Sequence, residues 1–275
     1  MTGDCIGGTV YNPRACRNIR RLLILITDSL FYAAAIPALL ITGISKAGFG
    51  SGLGILAVPL IALTIPATQA AAIMLPILCV MDLAALWAYR GQWSRENMKI
   101  MLPGGIAGIV LGALTFRYVS EAGLKLMLGT VAIGFLLQRW LGKAELAETT
   151  KPSSGKGYFW STLSGYTSTL AHAGGPPMSI YLLPQKMDKA LLVGTTVVFF
   201  TVMNYIKLIP YAFLGLFDGR NLATSAGLVP LGVLGIFCGV RLRQIIPEVL
   251  FYRLCYGFLF VAGMKLLYDG VTRLM

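Results

Sequence analysis

A chain of 275 residues that is 56% hydrophobic and only 12% charged, with a mean hydropathy of +0.74, has about half the charge of a soluble domain, which excludes an ordinary soluble fold. Its net charge of +12 comes from 23 Lys+Arg against 11 Asp+Glu. The cations cluster in short polar stretches, Arg14/Arg17/Arg20/Arg21, Arg90/Arg95/Lys99, Lys143/Lys151/Lys156 and Arg241/Arg243. That placement suits a bilayer with anionic headgroups; with no basic soluble domain to hold nucleic acid, no nucleic-acid partner is expected.

Repeated apolar runs of about 20 residues without strand-like alternation predict an all-α integral membrane protein. Residues 1–20 read as a cytoplasmic or interfacial tail. The arginines and apolar run that follow resemble a signal peptide, but Thr27-Asp28-Ser29 interrupts the run and no small-residue cleavage site follows, so the segment is expected to be retained. Arg21–Thr42 is apolar and leads into a glycine-rich break, Gly43–Pro59. Gly52–Ile65 is expected to be a short helix, too short to span. Thr68–Tyr89 is expected to span, then Arg90–Lys99 forms a basic loop with Trp93 at the interface. Ile100–Phe116 and Leu124–Trp140 are the next two spans. Residues 142–157, rich in Lys, Glu, Ser and Gly, read as a central linker between a first membrane repeat, 21–141, and a second, 158–270.

The second half repeats the first. Gly165 matches Gly43 at an offset of 122 (165 − 43), which also aligns Gly52 with Gly174 and Asp82 with Asn204. Gly91-Gln-Trp followed by Asn97 matches Gly215-Leu-Phe followed by Asn221. Pro103, Gly108, Gly112 and Glu121 match Pro230, Gly235, Gly239 and Glu248, Pro230 at an offset of 127 (230 − 103) and the others with it. Such a period marks a duplication. In the second half the segments flanking the break, Tyr158–Ala171 and Pro177–Pro184, are each too short to cross. Each half is therefore expected to hold a glycine-rich broken or re-entrant helix plus three spanning helices. An odd number of crossings inverts the second repeat, the architecture of many transporters. Gly104-x-x-x-Gly108-x-x-x-Gly112 and Gly235-x-x-x-Gly239 place small residues on one helix face for close packing.

Backbone unwound at membrane depth survives only where it lines a cavity or is buried in protein. In the first break Lys46 is a costly intramembrane cation that needs an anionic partner or water. With Gly48, Gly50, Ser51 and Gly52 around a fresh helix start, it makes a candidate anion site. The bland alternative is a tight helix crossing with Lys46 snorkelling outward. The second break holds the chain's one histidine, His172, followed by Gly174, Gly175 and Pro176 at another helix start. These residues are the candidate substrate-binding set; His172 can equally be a satisfied packing residue or, since imidazole titrates near neutral pH, a proton carrier. Asp82, Thr195, Thr196, Asn204 and Lys207 are candidate coupling or pathway residues. A salt bridge from Asp82 to Lys46 or Lys207, and helix back-bonding by the threonines, are the structural alternatives.

No enzyme signature is present. One histidine cannot make a metal pair, the five cysteines lack CxxC spacing, and neither metal nor cofactor is expected. Gly50-Ser51-Gly52 with His172 only superficially suggests an intramembrane serine protease.

The breaks GISKAGFGSGLGILAVPLIAL and TLAHAGGPPMSIYLLP, together with QAAAIMLPILCVMDLAALWAYRGQW and VGTTVVFFTVMNYIKLIPYAFLG, resemble the paired motifs of the sulfite exporter (TauE/SafE-type) permease family. The resemblance runs from about Ala35 to Leu267. It implies bacterial inner-membrane transport of a small anionic substrate, sulfite, an organosulfonate or a related sulfur oxyanion, coupled to an ion gradient. It also implies eight spans, where the hairpin reading counts six. A homodimer is compatible with either. A passive anion channel and a structural membrane subunit are the competing readings.

Overall fold

The computed structural model describes Ile26 and residues 28–46, 56–141, 150–242 and 248–274. Gly48, Gly50, Ser51 and Gly52, the N-terminal tail and residues 142–149 of the expected linker lie outside them.

Among the described residues all regular structure is helical. In chain order the helices are α1 (Ser29–Ile44), α2 (Ala57–Ile61), α3 (Ala67–Ala88), α4 (Arg95–Thr115), α5 (Glu121–Leu141), α6 (Ser154–Ala171), α7 (Gly175–Leu182), α8 (Lys189–Phe213), α9 (Gly219–Leu242) and α10 (Glu248–Thr272). The five helices α3, α4, α5, α8 and α9 are long and apolar enough to cross a membrane.

Several boundaries differ from the sequence expectation; the expected Arg90–Lys99 loop, for one, is already helix from Arg95, where Ser94 caps it. The helix expected over Gly52–Ile65 is, among its described residues, only the five of α2. It ends because Ile65 precedes Pro66, which disfavours helical geometry there, and the Ile61 carbonyl accepts from Thr64 Oγ1 at 2.9 Å as well as from the Thr64 and Ile65 N–H groups. In the central polar stretch, α6 already begins at Ser154 after the extended Ser153, so the last four residues of the expected linker are helix. Within that interruption Asp28 and Ser29 form a helix start: Asp28 caps α1 by accepting from Leu30 N at 2.9 Å.

The second break is a helical hairpin. The left-handed His172, at φ 53°, ends α6, and the chain then returns along it. Ser164 Oγ donates to the Gly174 carbonyl at 2.7 Å and Thr167 Oγ1 to that of Ala173 at 3.1 Å. Near the mouth, Gly157 lies against the Tyr181 ring and Thr150 N donates to the Pro184 carbonyl at 3.0 Å. Partners step back along α6 as they step forward along α7, so the strand of chain that enters also leaves on the same side.

Helices α3 and α8 cross antiparallel at the centre. Gln92, just past the end of α3, touches Gly194 near the start of α8. Asp82 meets Asn204 midway, and Leu75 and Cys79 pack with Tyr211 near the far end of α8. The ends are tied in the same sense. Ser94 N donates to Thr195 Oγ1 at 2.9 Å on one side, and Gln69 Nε2 donates to Asn221 Oδ1 at 3.0 Å on the other.

Packing between the halves is reciprocal: α4 lies on α6, and α9 on α1. The glycine rows make this contact. A Cβ on Gly108 would sit 2.1 Å from the Thr162 carbonyl oxygen, and one on Gly43 would sit 2.7 Å from the Gly235 carbonyl carbon. Only glycine admits backbones this close. The matched Gly91 and Gly215, after α3 and α8, share a left-handed φ of 75° and 70°, which glycine adopts without steric cost.

Candidate functional site

The chemistry gathers where the second hairpin tip meets the α3–α8 crossing. An open pocket lies there, and Thr42, Lys46, Ser168, His172, Gly175, Thr196 and Asn204 contribute to its wall with apolar residues of α3 and α8. Its α8 lining runs from Val193 to Asn204, the half of that helix nearest Gln92, so the pocket approaches the centre from that side.

Asp82, fully buried, is the hub. Its Oδ1 forms an ion pair with Lys46 Nζ, and its Oδ2 accepts from Asn204 Nδ2 at 2.6 Å. The positions matched across the two halves thus touch each other. A carboxylate at this depth needs a cation and a donor to offset lost hydration. Lys46 keeps 13% side-chain exposure, and it borders the pocket. Its ammonium therefore has Asp82 on one face and the pocket on the other.

Lys207, one turn beyond Asn204, has no exposed surface. Its Nζ donates to the Ser168 carbonyl at 3.1 Å and lies 2.9 Å from both Ser168 Oγ and His172 Nδ1. His172 Nε2 lies 2.9 Å from the Ala71 carbonyl oxygen. A carbonyl only accepts, so the ring carries its proton on Nε2 and offers a lone pair from Nδ1 to Lys207. The imidazole held this way is neutral, bridging α3 and α8. Tyr211 closes the far end by donating its hydroxyl to the Thr169 carbonyl at 2.7 Å.

The sequence-derived residues fall into three groups. Lys46, His172, Thr196 and Asn204 reach the pocket wall. Asp82 and Lys207 stand directly behind it. Thr195 instead braces the turn after α3 through Ser94 N and back-bonds to the Leu191 carbonyl at 2.6 Å. Gly175 borders the pocket, while Gly174 and Pro176 build the start of α7. Because Pro176 and Pro177 lack N–H groups, the donors at this start come from Gly174 and Gly175.

Thr42 and Ser168 also line the pocket, and sequence reasoning passed over them. The signal was available in the repeat, because the 122-residue offset (165 − 43) places Ser168 at the match of Lys46 and Ser164 at the match of Thr42. Among the described residues no group of three His, Cys, Asp or Glu side chains is placed to hold a metal ion.

Helices that can cross a membrane and a polar pocket bordered by Lys46 and backed by the buried Lys207 fit a multi-pass membrane transporter. The model of the sulfite exporter TauE/SafE family matches residues 35–266, most of the chain, and the protein belongs to that family. No match is found among curated proteins or among solved structures.

Proposed function

We propose that the protein is a secondary permease of the bacterial inner membrane for a small sulfur-containing oxyanion, sulfite or an organosulfonate, driven by an ion gradient. The observation that carries this reading is Lys46, an ammonium bordering a pocket in the membrane-embedded part of the protein and sharing Asp82 with it. A tetrahedral or pyramidal oxyanion has oxygens for Lys46, for the Gly174 and Gly175 N–H groups and for a hydroxyl from Thr42, Thr196 or Ser168. The family supplies the substrate class.

The second element of the proposal is alternating access by inverted repeats, α1–α5 against α6–α10. It is supported by the antiparallel crossing of the matched helices α3 and α8 and by the reciprocal packing of α4 on α6 and α9 on α1. In such a fold the site sits where the repeats meet and one repeat moves against the other.

Sulfite flux into proteoliposomes under an imposed pH gradient tests the reading, with Lys46→Ala beside wild type. Saturable, gradient-dependent flux that drops at least about tenfold in Lys46→Ala is expected, since one charge-assisted contact is worth ~1.5–3 kcal/mol. Non-saturating flux that never runs uphill identifies a channel. Full activity in Lys46→Ala moves the anion site elsewhere.

A further inference from the structure

The geometry points to Lys207 as the residue that takes up one proton for each anion bound, with the Ser168 hydroxyl as the link between the two events. This deepens the permease reading and rests on it. It also shifts the coupling role away from Asp82, whose two oxygens are already engaged by Lys46 and Asn204.

Lys207 Nζ has three polar contacts and no carboxylate among them. The Ser168 carbonyl can only accept, and in the neutral ring, whose single proton sits on Nε2 against Ala71 O, His172 Nδ1 accepts as well. The third contact, Ser168 Oγ, can act either way. An ammonium has three N–H donors, so Ser168 Oγ accepts from it. A neutral amine has two N–H donors and one lone pair, so the Ser168 hydroxyl donates to it. Both forms fill every contact, and no heavy atom has to move between them.

The hydroxyl proton is what changes place. Thr167, Thr169, Ser179, Thr195, Thr196 and Thr201 each donate to a carbonyl one turn back in their own helix. Ser168 Oγ bonds Lys207 Nζ instead, and Ser168 also lines the pocket. With Lys207 as the amine, the hydroxyl proton points at Nζ and the oxygen turns lone pairs toward the pocket. With Lys207 as the ammonium, Ser168 Oγ accepts from Nζ, and its proton is free to donate to an anion in the pocket.

Charge balance gives the same stoichiometry. The Lys46–Asp82 pair is neutral as a unit. A proton from solvent converts the Lys207 –NH2 to –NH3+, and a singly charged anion restores neutrality. An anion entering alone would leave an uncompensated buried charge, which low-dielectric surroundings penalise heavily. The other titratable groups around Lys207 are His172 at the end of α6, Cys79 and Asp82 from α3, Lys46 just past α1, and Tyr211 from its own helix. Of these, His172, Asp82, Lys46 and Tyr211 are each held by a partner that fixes its proton.

The test is proton uptake by purified full-length protein in weakly buffered detergent solution on addition of methanesulfonate, whose charge stays at −1. Wild type is expected to take up one proton per anion bound, with an apparent Kd that rises about tenfold per pH unit on the alkaline side. Lys207→Met abolishes the uptake and flattens the pH profile. Lys207→Arg, permanently charged, binds the anion without uptake, so a misfolded methionine variant does not decide the matter. Ser168→Ala leaves the other two contacts of Lys207 in place and weakens binding about tenfold, the worth of one hydrogen bond to a charged group.

Uptake that persists in Lys207→Met, or that disappears in Asp82→Asn or His172→Gln while Lys207→Arg behaves as wild type, overturns the assignment. Binding by wild type without proton uptake also overturns it, and leaves the permease reading standing. Absence of binding for both methanesulfonate and sulfite removes both.

Discussion

The broken helix of the first half presents Lys46 where that of the second presents Ser168, and the long helix after each break presents Asp82 in one and Asn204 in the other. A faithful copy would have placed two lysines and two carboxylates around the centre. Instead the second half has moved its lysine to position 207, matching Ala85 of the first. The carboxylate and the amide then bond each other across the crossing, one cation is left against the pocket and the other is sealed behind a serine and a histidine. Within the matched frame, differences at three positions make the two lysines unequal: one meets solvent, one does not.

The largest expected effect on this asymmetry comes from Asp82→Asn. It leaves Lys46 without a counter-charge and is expected to lower stability by ~3 kcal/mol, the low end for breaking a buried pair because Lys46 keeps 13% exposure. Thermal unfolding in detergent measures it. Adding Asn204→Asp to that variant carries the carboxylate across the crossing, and should recover more than half of the loss. A double variant no better than the single would break the equivalence of the two positions.

The glycine rows sharpen the comparison next. Gly108→Ala puts a methyl 2.1 Å from the Thr162 carbonyl oxygen, whereas Gly239→Ala meets Ile44 at 2.7 Å. Both overpack, at ~1–3 kcal/mol, with the first the more severe by unfolding midpoint. Equal losses would mean that the two interfaces relax to the same spacing. Smallest is Tyr211→Phe, which removes a donor to the Thr169 carbonyl and should cost ~1 kcal/mol. Its match in the first half, Tyr89, lies at the other end of the crossing, and Tyr89→Phe measured beside it shows whether the two ends are closed equally.

Much of the site was legible because charge and glycine are costly in a membrane. Lys46, Asp82, Asn204, His172 and Lys207 stand out in apolar runs; the first three bond one another, and His172 and Lys207 form a second hydrogen-bonded pair. Thr195 illustrates why the rest was not legible. A threonine in an apolar helix reads alike whether it faces a pocket, a neighbouring turn or its own backbone, and here it serves the turn at Ser94. Ser168 was hidden for the same reason, since its neighbours Thr167 and Thr169 differ from it only in where α6 is rotated.

Composition and hydropathy alone determined that this chain is a helical membrane protein, because 56% hydrophobic residues with 12% charge cannot make a water-soluble surface. The spacing of glycines, prolines and polar residues marked the second break and the internal match that sets Asp82 opposite Asn204, because helices at membrane depth tolerate such residues only at special positions. Only the tertiary structure decided which lysine Asp82 would take. Lys46 and Lys207 are equally basic on paper, and the choice follows from the antiparallel crossing, which turns one ammonium toward the carboxylate and the other toward Ser168 and His172.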